Sequence, residues 1–394
     1  MSEKKRRKQD QSYQGKAFEM ARDYLKKQQK KYIKERNPFF GLQIIPKSTY
    51  YDDSSGHTPG ENNWKRWGFD IHPQVSLIAG GLIILFIVLT VIYKDQAAAF
   101  FDRVLNGIGD TFGWFYMLAA NFFVIMMVIF AASKFGGIKI GGPDAVPEFS
   151  SFGWYAMLIS AGMGIGLMFW SVAEPIFHYA TPSPMFNVEA NTPQSAQSAL
   201  GITYFHWGLH PWGIYALVGL SLAFFAYNRG LPLTIRSIFY PLLKEKIYGF
   251  WGNLIDILSV LATLFGLATS LGLGIQQVAS GLNYLFGYPD TTEHAVLLIG
   301  IITLLATFSV IAGLDKGVRR LSSANLFIAA IFMLFIIIVG PTIYILKAFT
   351  QNMGFYLQNL PQLSFWVETY HGNEGSNWQN LWTIFYWGWW ISWS

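Results

Sequence analysis

"ALGITYFHWGLHPWGIYALVGLSLAFFAY", residues 199–227, passes through 29 positions without a Lys, Arg, Asp or Glu. A helix rises 1.5 Å per residue, so about 20 apolar residues cross the hydrocarbon core of a bilayer. The stretch therefore reads as a membrane-spanning helix. Working outward from it, uncharged apolar runs recur at 76–93, 111–133, 151–173, 257–277, 295–314, 321–346 and 380–394, which makes eight expected spans. Composition agrees: 52% of the 394 residues are hydrophobic and 13% charged, where a soluble domain carries about a quarter charged. The fold class expected is an all-α polytopic membrane protein. With no cysteine, disulfides and thiolate metal sites are excluded.

Residues 1–75 form a polar, basic tail holding 16 of the 28 Lys and Arg, and no signal-peptide pattern of a basic start and short apolar core is present. Beyond it, alternate loops differ in basic content. Lys134, Lys139, Arg229, Arg236, Lys244, Lys246, Lys316, Arg319 and Arg320 fall on one side, against Lys94, Arg103 and Lys347 on the other. The positive-inside rule then places the N-terminus in the cytoplasm. The tail segment "KAFEMARDYLKKQQKKYIKER" is open to two readings, a solvated tail or a basic amphipathic helix on anionic lipid.

Helices one and two read as plain scaffold. "GLDKGVRRLSSANL" reads as a short interfacial helix between spans six and seven, and 347–379 as a long outside loop rich in Asn, Gln and Gly. "LWTIFYWGWWISWS" opens a new apolar span without a closing charged anchor, so the chain is expected to be a piece of a longer one.

Two stretches carry chemistry. In "SAGMGIGLMFWSVAEPIFHY", Gly162, Gly164 and Gly166 alternate with Met163 and Ile165. Each glycine costs a helix interior about 1 kcal/mol relative to alanine. Close helix packing explains glycines four apart, whereas glycines two apart fall on opposite sides and favour a locally unwound backbone, tolerated at membrane depth only where it lines a cavity or binds an ion. In helix four, 100° per residue puts Trp207, Trp212 and Tyr215 within an arc of roughly 140°. Trp382, Trp387, Trp389, Trp390 and Trp393 crowd the last span. Aromatic stripes are ordinarily core or interface belts. Two tryptophan-bearing helices together also suit a cage for a quaternary ammonium group, which gives no hydrogen bond and is held by ring faces.

"GMGIGLMFW", "AEPIFHY", "HWGLHPWGIYALVGLSLAF", "GLPLTIRSIFYPLL" and "LWTIFYWGWWISWS" resemble the betaine/carnitine/choline transporter family, from about residue 70 to the end. The resemblance implies twelve helices with two inverted five-helix repeats of the amino-acid-transporter scaffold. About eight are here: two leading helices, a first repeat over 150–346 and the start of a second at 380–394, all within a transporter domain 76–394. It further implies that Trp207, Trp212, Tyr215 and Trp390 form the substrate box, and that Trp389 and Trp393 meet substrate in other states. Ser160 and Met163 match carbonyl contributors to a sodium site. Thr263 matches a threonine of a second sodium site whose partner position holds Leu267, an oxygen-free side chain that a hard cation does not favour. Sodium or proton coupling stays open, and no other cofactor is expected. The resemblance also suggests a homotrimer.

Three further groups read more plainly. Glu174–Pro175 reads as a helix stop near the substrate entrance. His206 and His210, four apart, read as packing or hydrogen-bonding histidines, since no third metal ligand lies nearby in sequence. Asp256 reads as a paired or snorkelling charge. No phosphate loop, nucleophile triad or nucleic-acid motif is present, so neither an enzyme nor a nucleic-acid partner is expected. The expected function is osmoprotective import of a quaternary ammonium solute across a bacterial inner membrane, choline first by overall resemblance of the fifth to eighth spans, glycine betaine close behind and carnitine third. The alternative is an osmotically or lipid-gated channel or sensor.

Overall fold

The computed structural model describes residues 60–142, 144–162, 164–370 and 377–393. Met163, most of the basic tail and part of the segment before the last span lie outside them. A hairpin comes first, inside what the sequence suggested was all tail: β1 (Trp64–Arg66) pairs antiparallel with β2 (Phe69–Ile71), Lys65 opposite Asp70. Trp67 and Gly68 both have positive φ, 54° and 82°, as a two-residue turn of this hand requires.

His72 caps α1 (Pro73–Ile92) through Nδ1, which accepts from the Val75 N–H, and Pro73 supplies a preset φ at the first turn. α2 (Lys94–Ala132) is longer than the span expected at 111–133. Its first turns hold Ala97–Ala99 and no proline or interior glycine before Gly107, so nothing breaks the helix after Lys94. The third apolar run is a bent pair, α3 (Ser151–Gly162) and α4 (Ile165–Ala180), at 52° to each other. The fourth is α5 (Pro193–Trp207) and α6 (Leu209–Ala223), interrupted at Gly208 and followed by a π-helical turn over Phe224–Asn228. Then come α7 (Phe250–Phe286), α8 (Thr292–Ile311), α9 (Arg319–Val339) and α10 (Thr342–Phe365), and finally a π-helical turn, Asn380–Ile384, leading into α11 (Phe385–Trp393). Among the described residues six helical segments are long and apolar enough to cross a membrane, seven with the bent pair. The eighth expected span is helical but shorter than that.

Three sequence expectations are corrected. The outside loop begun at 347 is mostly α10: Gly340–Pro341 ends α9, and a new helix buries Asn352, Tyr356, Leu363 and Ser364. Amide-rich composition suggested a loop, yet spacings of four and seven place most of these on one face. The basic stretch after α8 is not a separate interfacial helix. Gly313, at φ 84°, turns the chain, and a π-helical turn over Leu314–Val318 runs straight into α9. Nor is the second span plain scaffold: Asn121 in α2 is buried, its Nδ2 donating to the Ser364 carbonyl at 2.8 Å while its Oδ1 accepts from His210 Nε2 at 2.8 Å. An amide in hydrocarbon must find partners, and these tie α2 to α6 and α10.

Asp256 is paired, as expected. Its carboxylate accepts from Arg236 Nε at 2.6 Å and from the Arg236 backbone N–H at 3.1 Å, while Nη1 of the same arginine donates to the Ile247 carbonyl. The largest core gathers Met117, Ile202, Phe205, Ile214, Tyr356 and the aromatics of the last helix. α8 and α9 bury almost nothing within the chain, Leu298 and Ser322 respectively, and present apolar faces outward.

Candidate functional site

The aromatic residues singled out in α5, α6 and the last helix converge. Trp390 is fully buried, with its ring 5.8 Å from that of Trp207 and 5.8 Å from that of Trp212, at interplanar angles of 71° and 54°. Trp212 meets Tyr215 at 5.7 Å and 90°, and Trp207 meets Trp389 at 6.0 Å and 89°. Rings this close at these angles are in edge-to-face or tilted contact, so the five side chains form one aromatic cluster. Trp393 lies at the end of the same helix.

The route to this convergence differs from the helical-wheel estimate. The helix breaks at Gly208 (φ −97°, ψ −129°), so the 100° step does not carry across from Trp207 to Trp212. Instead Trp212 Nε1 donates to the Trp207 carbonyl at 3.1 Å, a carbonyl without a helical donor because residue 211, four positions on, is proline, and the hydrogen bond brings the two residues together across the break.

The glycine stretch is both broken and closely packed. The chain breaks between α3 and α4, with Gly164 in a non-helical conformation (φ −77°, ψ −139°). Gly162 and Gly166, which are four apart, also make room for the box. A Cβ on Gly162 would lie 2.6 Å from Trp212 Cη2, and one on Gly166 would lie 2.5 Å from Trp389 Cη2 and 3.4 Å from Trp207 Cη2. The alternating pattern concealed this four-residue spacing. Gly166→Ala is expected to lower stability by about 1–3 kcal/mol through overpacking. It should be read as a fall in Tm of detergent-purified protein beside Gly219→Ala, which meets nothing within 4 Å and should be neutral or stabilising.

Behind the box sits a buried carboxylate that sequence reading placed at a helix end. Pro175 is inside α4, not after it, and Glu174 faces the core with no exposure. Proline there removes one backbone donor, which a packed membrane helix tolerates. Glu174 Oε2 accepts from Trp207 Nε1 at 2.9 Å and from the Tyr386 hydroxyl at 2.6 Å. Oε1 accepts from His206 Nδ1 at 2.6 Å and lies 3.5 Å from His178 Nε2. His206 Nε2 in turn is 3.0 Å from Thr383 Oγ1. One carboxylate thus joins α4, α5 and the last helix, and it orients the indole of Trp207. Tyr386, Thr383 and His178 were missed from sequence; the available signal was an ionisable residue within an apolar span, rarely placed there without a partner or function.

The two histidines four apart engage different neighbours. His210 Nε2 bonds Asn121 and lies 3.2 Å from Ser364 Oγ, and its ring stacks on Trp387 at 5.7 Å and 19°. The hydrogen-bonding role expected of both holds, and the third group near His206 comes from α4.

Of the proposed ion ligands, the Ser160 hydroxyl donates to the Ser322 carbonyl at 3.2 Å and accepts from Asn325 Nδ2, which ties α3 to α9. Thr263 lines a cavity of about 610 Å³ together with His72, Arg236 and Asp256, and Leu267 is exposed on the outside of α7. Ser160 and Thr263 therefore sit in different surroundings.

These features define a multi-pass helical membrane protein with a buried aromatic cluster beside two broken helices. Over residues 74–394 the sequence matches the betaine/carnitine/choline family transporter model, and the chain belongs to that family. It is 47% identical over 342 residues to a glycine betaine/proline/choline transporter of Vibrio parahaemolyticus, covering 83% of this chain and 61% of the relative. It is 46% identical over 350 residues to glycine betaine transporter 1 of the same organism, covering 88% and 65%. It is 48% identical over 287 residues to a glycine betaine transporter of Bacillus subtilis, covering 73% and 56%. The chain thus spans less than two thirds of the length of each of these relatives.

Proposed function

We propose that the protein imports a quaternary ammonium solute across a bacterial cytoplasmic membrane by alternating access, with the methylated nitrogen held among Trp207, Trp212, Tyr215 and Trp390. The observation that carries this reading is the buried Trp390 ring meeting both Trp207 and Trp212 at 5.8 Å. A cation that cannot donate a hydrogen bond gains most from tryptophan faces in a dry site, about 2 kcal/mol for a desolvated contact. Trp389 and Trp393 extend the path. Glycine betaine ranks first among the solutes, since the names of all three relatives include it; choline and carnitine follow.

The break at Gly162–Gly166, with Met163 within it, is where the backbone adjusts during the cycle, as discontinuous helices do in secondary transporters. A sodium or proton gradient drives import, with Ser160 and Met163 contributing to any sodium site and Thr263 a lesser candidate. The N-terminal tail is cytoplasmic, and the assembly is a homotrimer.

The test is uptake of labelled glycine betaine, choline and carnitine by cells lacking their own carriers, in sodium and then in potassium buffer. Saturable uptake competed by unlabelled solute is expected. Flux that does not saturate and rises on osmotic shock would overturn the carrier reading in favour of a gated channel.

A further inference from the structure

We propose that Glu174, His178 and His206 form a binding site for a divalent transition cation of the zinc class, set directly behind the aromatic box. The three ligand atoms, Glu174 Oε1, His178 Nε2 and His206 Nδ1, lie within 4.8 Å of one another, and all three side chains have no exposure. Glu174 and His178 are four apart on α4 and so share one face, while His206 enters from α5. Two ligands four apart on one helix with a third from elsewhere is a recurrent zinc arrangement, and two imidazoles with one carboxylate leave a fourth position for water or an anion.

His178 supplies the independent sign of a ligand. Its ring is wholly buried, yet neither nitrogen has a hydrogen-bond partner among the described residues, and Nε2 points toward Oε1 at 3.5 Å. A buried imidazole whose Nδ1 has no hydrogen-bond partner and whose Nε2 reaches only a 3.5 Å contact is costly. Ligand atoms of a tetrahedral zinc site stand about 3.3 Å apart. The 3.5 Å separation already suits this, and the 2.6 Å separation between Oε1 and His206 Nδ1 has to open by under an ångström. Imidazole nitrogens favour zinc-class ions over sodium or calcium.

The proton balance follows from the hydrogen bonds. Without metal, His206 Nδ1–H donates to Oε1 and Nε2 accepts from the Thr383 hydroxyl. Metal takes the place of the proton on Nδ1, that proton is taken up at Nε2, and His206 stays neutral with no net proton released, as the Nε2–H tautomer donating to Thr383 Oγ1. Such an outer partner fixes a ligating histidine. The rings of Trp382 and Trp378, 4.4 Å and 5.3 Å from that of His178, keep the pocket dry.

Cobalt(II) titration of purified protein carrying no polyhistidine tag tests the site without reference to transport, so its result stands whatever the box carries. A saturable visible absorption band of a low-symmetry site, one ion per chain, displaced by zinc, is expected. His178→Gln should weaken the affinity at least about tenfold, with His294→Gln unchanged and far-UV circular dichroism the same for both. X-ray absorption of the zinc-loaded wild type should count two imidazole nitrogens and at least one oxygen, and it needs no variant. Absence of a one-to-one band, an affinity unchanged in His178→Gln, or a zinc shell without two imidazoles would overturn the proposal.

Discussion

Trp390→Leu is expected to raise the half-saturation concentration for choline or glycine betaine uptake at least tenfold. Trp390 is the ring common to the contacts with Trp207 and Trp212, and it is wholly buried. Leucine keeps an apolar filling and removes the quadrupole. A loss of about 2 kcal/mol of cation–π attraction exceeds the 1.4 kcal/mol that corresponds to a factor of ten. Trp390→Phe, which keeps a ring of weaker quadrupole, should fall between the two. Because leucine is smaller than tryptophan, the amount of folded protein in the membrane has to be measured beside uptake. A half-saturation value unchanged in Trp390→Leu would remove this residue from the box.

Glu174→Ala should be the most destabilising single change near the site. It strands the Trp207 N–H and the Tyr386 O–H, both of which now donate to Oε2, and an orphaned buried donor costs about 1–3 kcal/mol. A fall in Tm of the detergent-purified protein reads this directly. Glu174→Gln restores one acceptor oxygen without the charge, so it should recover most of the lost Tm. The same variant separates the substrates: choline is a net cation and glycine betaine is not, so removing a negative charge one hydrogen bond from the box should weaken choline uptake more than betaine uptake. Equal effects on the two solutes would show that Glu174 acts only by holding the indole in place. Wild-type Tm in Glu174→Ala would show that the stranded donors reach water.

Helices were legible wherever apolar runs were long, since a bilayer imposes both length and composition. Their ends were not. The extra turns of α2 before residue 111 carry charges, and a hydropathy window cannot tell a charged helix from a charged loop. α10 was hidden for the same reason, its buried face being made of Asn352, Tyr356 and Ser364 more than of aliphatic residues. At the site, Trp207, Trp212, Tyr215, Trp389 and Trp390 were legible because an aromatic cluster in two separate helices is unusual in itself. Their shared anchor was not, because Glu174 meets Trp207 from 33 residues away and Tyr386 from 212. Local sequence shows Glu174 only as a neighbour of Pro175, and proline next to a charge ordinarily signals an end.

The tie between Asn121 and Ser364 joins positions 243 residues apart. During synthesis, α2 enters the membrane long before residue 364 leaves the ribosome, so the amide must wait in the insertion machinery or in lipid with a temporary partner. Glu174 waits similarly for Tyr386. Biogenesis should therefore finish by late locking of polar clasps over helices already in place. A chain stalled before residue 364 would hold those helices loosely, an attractive substrate for membrane quality-control proteases.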